Sequence, residues 1–138
     1  MEKRDYLLRE IEKFSLLLQA LLNRLEGRRD NPTLSVETDA SEAEEELFRE
    51  SGFELGGFLR MDGESSRDYL ARFEGLNPAN LELLAEVLTA LGTPLKTENN
   101  RICLAKALDV LELCKSRDRT FSMDRELKIA EIRNALGG

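Results

Sequence analysis

The chain has 138 residues and a net charge of −7, with 27 Asp and Glu against 20 Lys and Arg and no His. That length suits one domain with a real hydrophobic core. The missing His excludes Ser–His and Cys–His nucleophile pairs, His-containing zinc sites and the Glu-x-x-His motif of di-iron bundles, and the acidic balance argues against a general binder of nucleic acid or anionic membranes.

The first stretch, Glu2 to Glu26, lacks Gly and Pro and is rich in Leu, Glu, Lys, Arg and Gln, all strong helix formers. Leu7, Ile11, Phe14, Leu18, Leu21 and Leu25 alternate in steps of four and three, which keeps one seam on one side of a helix. Glu2 and Asp5 suit its N-terminal dipole, Arg24, Arg28 and Arg29 its C-terminal dipole, and Gly27 is placed to end it. Leu22, Leu17 and Tyr6 widen the seam, while Leu8 lies about 100° off it and Leu16 almost opposite. Such a helix needs cover on more than one side. One reading is a long core helix around which the others wrap; the other places one face on the domain and another on a second copy.

Residues 28–40 contain Asn31-Pro32 and no helical period, so they read as a surface linker, with Leu34 and Val36 alternating in the manner of a short strand that has no partner. Ser41 with Glu44 three residues on forms a capping box that opens an acidic helix ending at Gly52. An acidic run ordinarily marks a solvated face. Phe53 to Met61 is an apolar patch interrupted by Gly56-Gly57, expected as a short helix or turn pair closing at Gly63, with close approach of another backbone as the reason for the glycines. Ser65 or Ser66 is placed to cap the next helix, which buries Tyr69, Leu70 and Phe73 and ends at Gly75.

Asn77-Pro78 is an N-cap followed by Pro at the first helical position, opening a helix to Leu91 that is closed by Gly92, with Pro94 in the turn. Asn99 or Asn100 is expected to cap the next, with Ile102, Leu104, Ala105, Leu108 and Leu111 inward through about Lys115. Ser122 caps the last helix, with Asp124 and Glu126 in its first turn and Leu127, Ile129, Ala130, Ile132 and Leu136 as its apolar set. No segment carries a sheet signal. The expected architecture is a single all-α domain over 1–138 of six or seven helices: a long N-terminal helix (1–27), a linker (28–40) and a helical body (41–138) with hairpins from residue 77.

No signal peptide or membrane-spanning segment is expected, because charges run through residues 1–26 and no stretch nears the roughly 18 apolar residues of a span. Cys103 and Cys114 share a helix face about three turns, or ~16 Å, apart, too far for a disulfide. Both read as small buried hydrophobes in a reducing cytoplasm.

Residues 77–136, with helices opening at Asn77, Asn100 and Ser122 and with Ala85, Ala90, Ala105, Ala107 and Ala130 at the crossings, resemble in style the antiparallel hairpins of tetratricopeptide-like solenoids, although the 34-residue period is absent. The segments 4–13, 77–86 and 120–125 look like those of bacterial helical proteins of unknown function that pair a long N-terminal helix with helical hairpins. That resemblance implies a bacterial cytoplasmic origin and carries over no catalytic residue.

The remaining enzymatic option is carboxylate-only chemistry. All-α nucleotide pyrophosphohydrolases hold Mg²⁺ with carboxylates three apart on neighbouring helices, and this chain offers Glu42-x-x-Glu45 and Asp109-x-x-Glu112. Arg24, Arg28 and Arg29, and again Lys115, Arg117 and Arg119, are basic groups better explained by helix dipoles than by phosphate binding. The favoured reading is a non-enzymatic interaction or scaffold module without cofactor or metal. It would take a protein partner, a homodimer foremost, and associate through Leu8, Leu16 and Leu17. A carboxylate-dependent phosphohydrolase is the alternative, distinguished by whether Asp109 and Glu112 face another acidic pair.

Overall fold

A computed structural model describes residues 2–29 and 36–137, all helix and connecting turns with no strand among the described residues. Seven helices follow in order: α1 (Glu2–Arg29), α2 (Val36–Ser51), α3 (Leu55–Arg60), α4 (Gly63–Ala71), α5 (Pro78–Gly92), α6 (Glu98–Arg117) and α7 (Met123–Ala135). The all-α expectation holds.

The centre of the packing is the antiparallel pair α5–α6. Its direction is fixed at both ends, where Asn100 Nδ2 donates to Leu91 O at 2.9 Å and Cys114 Sγ donates to Pro78 O at 3.3 Å. α1 lies along α5 and touches α2, while α7 packs on α6 and reaches α5 through Arg125–Glu82 and Lys128–Glu86, and α3 touches α6 as well. The hub is therefore this pair, and α1 is laid against it. The reason is composition: α5 buries Leu81, Leu84, Ala85, Val87, Leu88 and Leu91, a nearly continuous apolar girth that demands neighbours on two sides.

The α1 seam forms the interface with α5 through Phe14, Leu18, Leu21, Leu22 and Leu25, all buried. α1 runs through Gly27 to Arg29. Gly27 is thus not the terminating residue; among the described residues only Gly52 and Gly137 have positive φ. An aromatic cluster then ties α1 to the short helices, with Phe14 to Phe73 at 5.9 Å, Phe53 to Phe73 at 5.2 Å and Phe53 to Phe58 at 5.3 Å between ring centroids.

Several boundaries differ from the sequence reading. α2 begins at Val36, so Ser41 and Glu44 lie inside it and form no capping box; the acidic residues from Glu37 onward already suit a helix N-terminus. Of the expected linker, 28–29 belong to α1 and 36–40 to α2, and residues 30–35, with Leu34, lie outside the described residues. α2 ends as expected at Gly52, whose φ of +79° lets its N–H return to Phe48 O at 2.8 Å. The cap of α4 is Asp62, which accepts from Ser65 N at 2.8 Å, in place of Ser65 or Ser66, and Gly63 opens that helix rather than closing the segment before it. What packs over Gly56 is the Glu44 carboxylate, a side chain and not a backbone.

The starts of α5 and α7 are as read, with Asn77 accepting from Asn80 N at 3.0 Å and Ser122 accepting from Arg125 N at 3.1 Å. α6 is capped by Thr97, one helical turn before Asn100, which completes the capping box from inside the helix. Gly92 is the last helical residue of α5, and a Cβ there would meet Leu104 Cγ at 2.7 Å, so it marks the close approach of α5 and α6. The inward face of α6 is Cys103, Leu104, Ala107, Val110, Leu111, Leu113 and Cys114. Ile102 and Leu108 are half-buried and Ala105 exposed, because the buried arc is wide and centred between α5, α7 and the α3–α4 corner. In α7, Ile129 and Ile132 are buried, Leu136 is half-buried, and Leu127 and Ala130 face out.

Candidate interaction surface

Two buried cations position the elements that frame the surface. Lys106 of α6 donates to Met61 O at 2.6 Å and to Ser66 Oγ, and lies 5.2 Å from the Phe58 ring centroid. Burial lowers its pKa, while Asp109 and Asp62 hold the charge. It ties α6 to the end of α3 and the start of α4. Ser66 is only 2% exposed, and its hydroxyl is held by Lys106.

Arg125 of α7 is the second. Its Nε donates to Glu82 Oε1 at 2.6 Å on α5 and its Nη2 to Asp118 Oδ2 at 2.7 Å. Burial opposes its charge, but these two carboxylates hold its pKa above the ordinary value. Asp118 also accepts from Thr120 N at 3.0 Å, and with the Arg125 bond this lowers its own pKa. Every buried side-chain N or O among the described residues has a partner.

With the interior satisfied, the large apolar side chains left outward are Leu16 and those in three further places. On α1, residues 3–9 are all exposed, and Tyr6 (52%), Leu7 (37%) and Leu8 (54%) sit on them. The body meets α1 at Glu10 and Ile11, where Gly75 lies against Glu10 and Asn80 Nδ2 donates to Ile11 O at 2.9 Å. The seam continues to Leu7, in phase with Ile11 and Phe14, which stays 37% exposed where Phe14 and Leu18 are buried. On α2, Ala43 and Leu47 are buried four residues apart, and Phe48 turns outward above an open groove with Ser41, Glu44, Glu45 and Glu54. On α7 and the turn before it, Phe121, Met123 and Leu127 are exposed.

Of the candidate association residues, Leu8 and Leu16 are exposed, and Leu17 is half-buried against the core. Leu8 and Leu16 do not form one patch: eight residues at about 100° each put them some 80° apart, with polar Glu12 and Gln19 between and beside them. Leu8 instead joins Tyr6 and Leu7. The exposed Phe48 was missed in the sequence, although the Ala43–Leu47 spacing does indicate which side of α2 turns inward.

The acidic pairs come to different places. Asp109 and Glu112 border a groove whose opposite wall is Gly63, Ser66, Arg67 and Leu70, and Glu112 pairs with Arg133. Among the described residues lining that groove there is no second acidic pair. Glu42 and Glu45 lie by Arg24 and Arg49 at the surface, and Arg24 pairs with Glu46. Among the described residues no group of three or more His, Cys, Asp or Glu is placed to hold a metal ion. Lys115 pairs with Glu126 at 2.6 Å, and the side chains of Arg28 and Arg29 lie outside the described residues.

Burial pushes the Cys103 thiol up to about 11 and raises that of Cys114 as well, so neither is a ready nucleophile at neutral pH. Both are free and buried. No helix among the described residues is long and apolar enough to cross a membrane. No protein-family model, no curated protein and no solved structure matches the chain.

Proposed function

We propose that the protein is a non-enzymatic interaction module that self-associates through the projecting N-terminal turns of α1. The observation that carries this reading is the α1 seam itself, which continues to Leu7 and stays exposed there where Phe14 and Leu18 are buried. A helix whose exposed first two turns carry Tyr6, Leu7 and Leu8 is built to meet another surface. The simplest partner is a second copy, and a two-fold dimer is the commonest form such pairs take. Two buried free thiols suit a reducing compartment such as the cytoplasm.

Magnitudes limit how the contact is made. Each of these half-exposed side chains gains roughly 0.8–1.5 kcal/mol on burial, half of the full figure for a large apolar residue. Two overhangs then supply about 5–9 kcal/mol, against an association cost of about 4–15 kcal/mol. Overhang against overhang is marginal at best. A stable pair needs the overhang to sit on further apolar or charged surface of its partner.

Size-exclusion chromatography with light scattering on wild type, Leu7→Glu/Leu8→Glu and Leu16→Glu tests the proposal. The expected result is a wild-type dimer, a folded monomer for the double variant and a dimer for Leu16→Glu. A monomeric wild type would overturn it.

A further inference from the structure

We propose that the α1 overhang of one copy docks on the acidic face of α2 and the turn before α3 of a second copy, with Phe48 at its centre. This names the acceptor for the contact above and rests on that reading. The acceptor is an open groove of about 570 Å³ bounded by Ser41, Glu44, Glu45, Phe48 and Glu54. Phe48 is 57% exposed there, and no ion pair among the described residues neutralises Glu44, Glu45 or Glu54.

The overhang has the opposite character. Residues 3–9 carry Lys3, Arg4 and Arg9 against Asp5 alone, in a chain whose net charge is −7. Lys3 and Arg4 stand one helical turn before Leu7 and Leu8, so cations and leucines share a side of the helix. Laid in the groove, Leu7 and Leu8 cover Phe48 while the two cations meet the glutamates, a helix-in-groove contact with complementary charge.

The same chain does not make this contact with itself. Residues 3–9 are exposed throughout, and the Arg24–Glu46 pair holds α2 against the other half of α1. About 30 Å of helix separates Arg4 from Arg24. The α7 stripe is the poorer acceptor, because Lys115 and Arg119 border Phe121 while Asp124 lies beside Met123, leaving no sign of charge to match. Since the overhang and the groove are different patches, each copy offers one of each, and a two-fold pair exchanges both.

The test mixes two charge-reversed proteins, Lys3→Glu/Arg4→Glu and Glu45→Lys/Glu54→Lys, with circular dichroism confirming that each folds. Every substituted residue is exposed. Alone, each variant should dissociate at least tenfold more readily than wild type in sedimentation velocity at low salt. Mixed in equal amounts they should form a dimer of one copy of each, because the intact overhang of one meets the intact groove of the other and the reversed pair matches too. Phe48→Ala should weaken the wild-type dimer by about tenfold. If Glu45→Lys/Glu54→Lys dimerises as wild type does while Leu7→Glu/Leu8→Glu is monomeric, the acceptor lies elsewhere and only this inference falls. If wild type is monomeric, both readings fall.

Discussion

Asn100 makes the densest set of bonds of any side chain described: its Oδ1 accepts from Lys96 N, Thr97 N and Thr97 Oγ1, and its Nδ2 donates to Leu91 O. One amide thus closes the α5–α6 turn from inside. Asn100→Ala is expected to cost about 2–3 kcal/mol in urea unfolding, the loss of several partners with buried groups left unpaired. Asp118 supplies a pH signature. Its folded-state pKa lies below the ordinary carboxylate value, so its contribution is present above that value and is lost as pH falls through the lowered one. The melting temperature of wild type should therefore fall more steeply as the pH drops below about 4 than that of Asp118→Asn. Asn100 was legible as a capping residue, although the cap itself is Thr97. Asp118 was legible only as part of a polar turn, because the Arg125 that pairs with it is fixed in place by Glu82, which is distant in sequence.

Helices with strong local starts were readable. Asn77-Pro78 and Ser122 cap where their spacing indicates, since a cap is a local bond between a side chain and an N–H three residues on. The start of α2 was not readable, because Ser41-x-x-Glu44 satisfies the capping pattern without marking an end, and favourable acidic residues continue upstream. The phase of α6 was obscured by Lys106, a charged residue inside the buried arc whose partners come from other elements. Helix contacts that depend on missing atoms were partly visible as glycines. A Cβ at Gly75 would meet Phe14 Cδ2 at 2.6 Å and the backbone oxygen of Glu10, which can yield only if α1 moves. Gly75→Ala is expected to destabilise by about 1–3 kcal/mol in urea unfolding, as overpacking does. Gly92→Ala, against Leu104 Cγ at 2.7 Å and Asn100 O at 2.8 Å, should fall in the same range, while Gly27→Ala, with nothing within 4 Å, should be neutral or stabilising.

At the scale of the molecule, the helical class was legible from periodicity alone, and the arrangement was not. The long first helix looks central in the sequence because its seam is long, yet that seam outruns the α5–α6 pair it packs against. The part left over is the candidate site, and only the structure shows where cover ends. Leu8 was legible as a residue outside the seam; Leu7 was not, because seam residues are ordinarily buried. A contact between a basic overhang and an acidic groove also predicts salt dependence: the dissociation constant should rise severalfold from low to physiological ionic strength, as exposed charges are screened within about 8 Å. The most direct measurement is the solution mass of the wild-type protein across a dilution series by sedimentation equilibrium. The account predicts a reversible shift from a dimer to the 15.7 kDa monomer. A monomer at every concentration would contradict it.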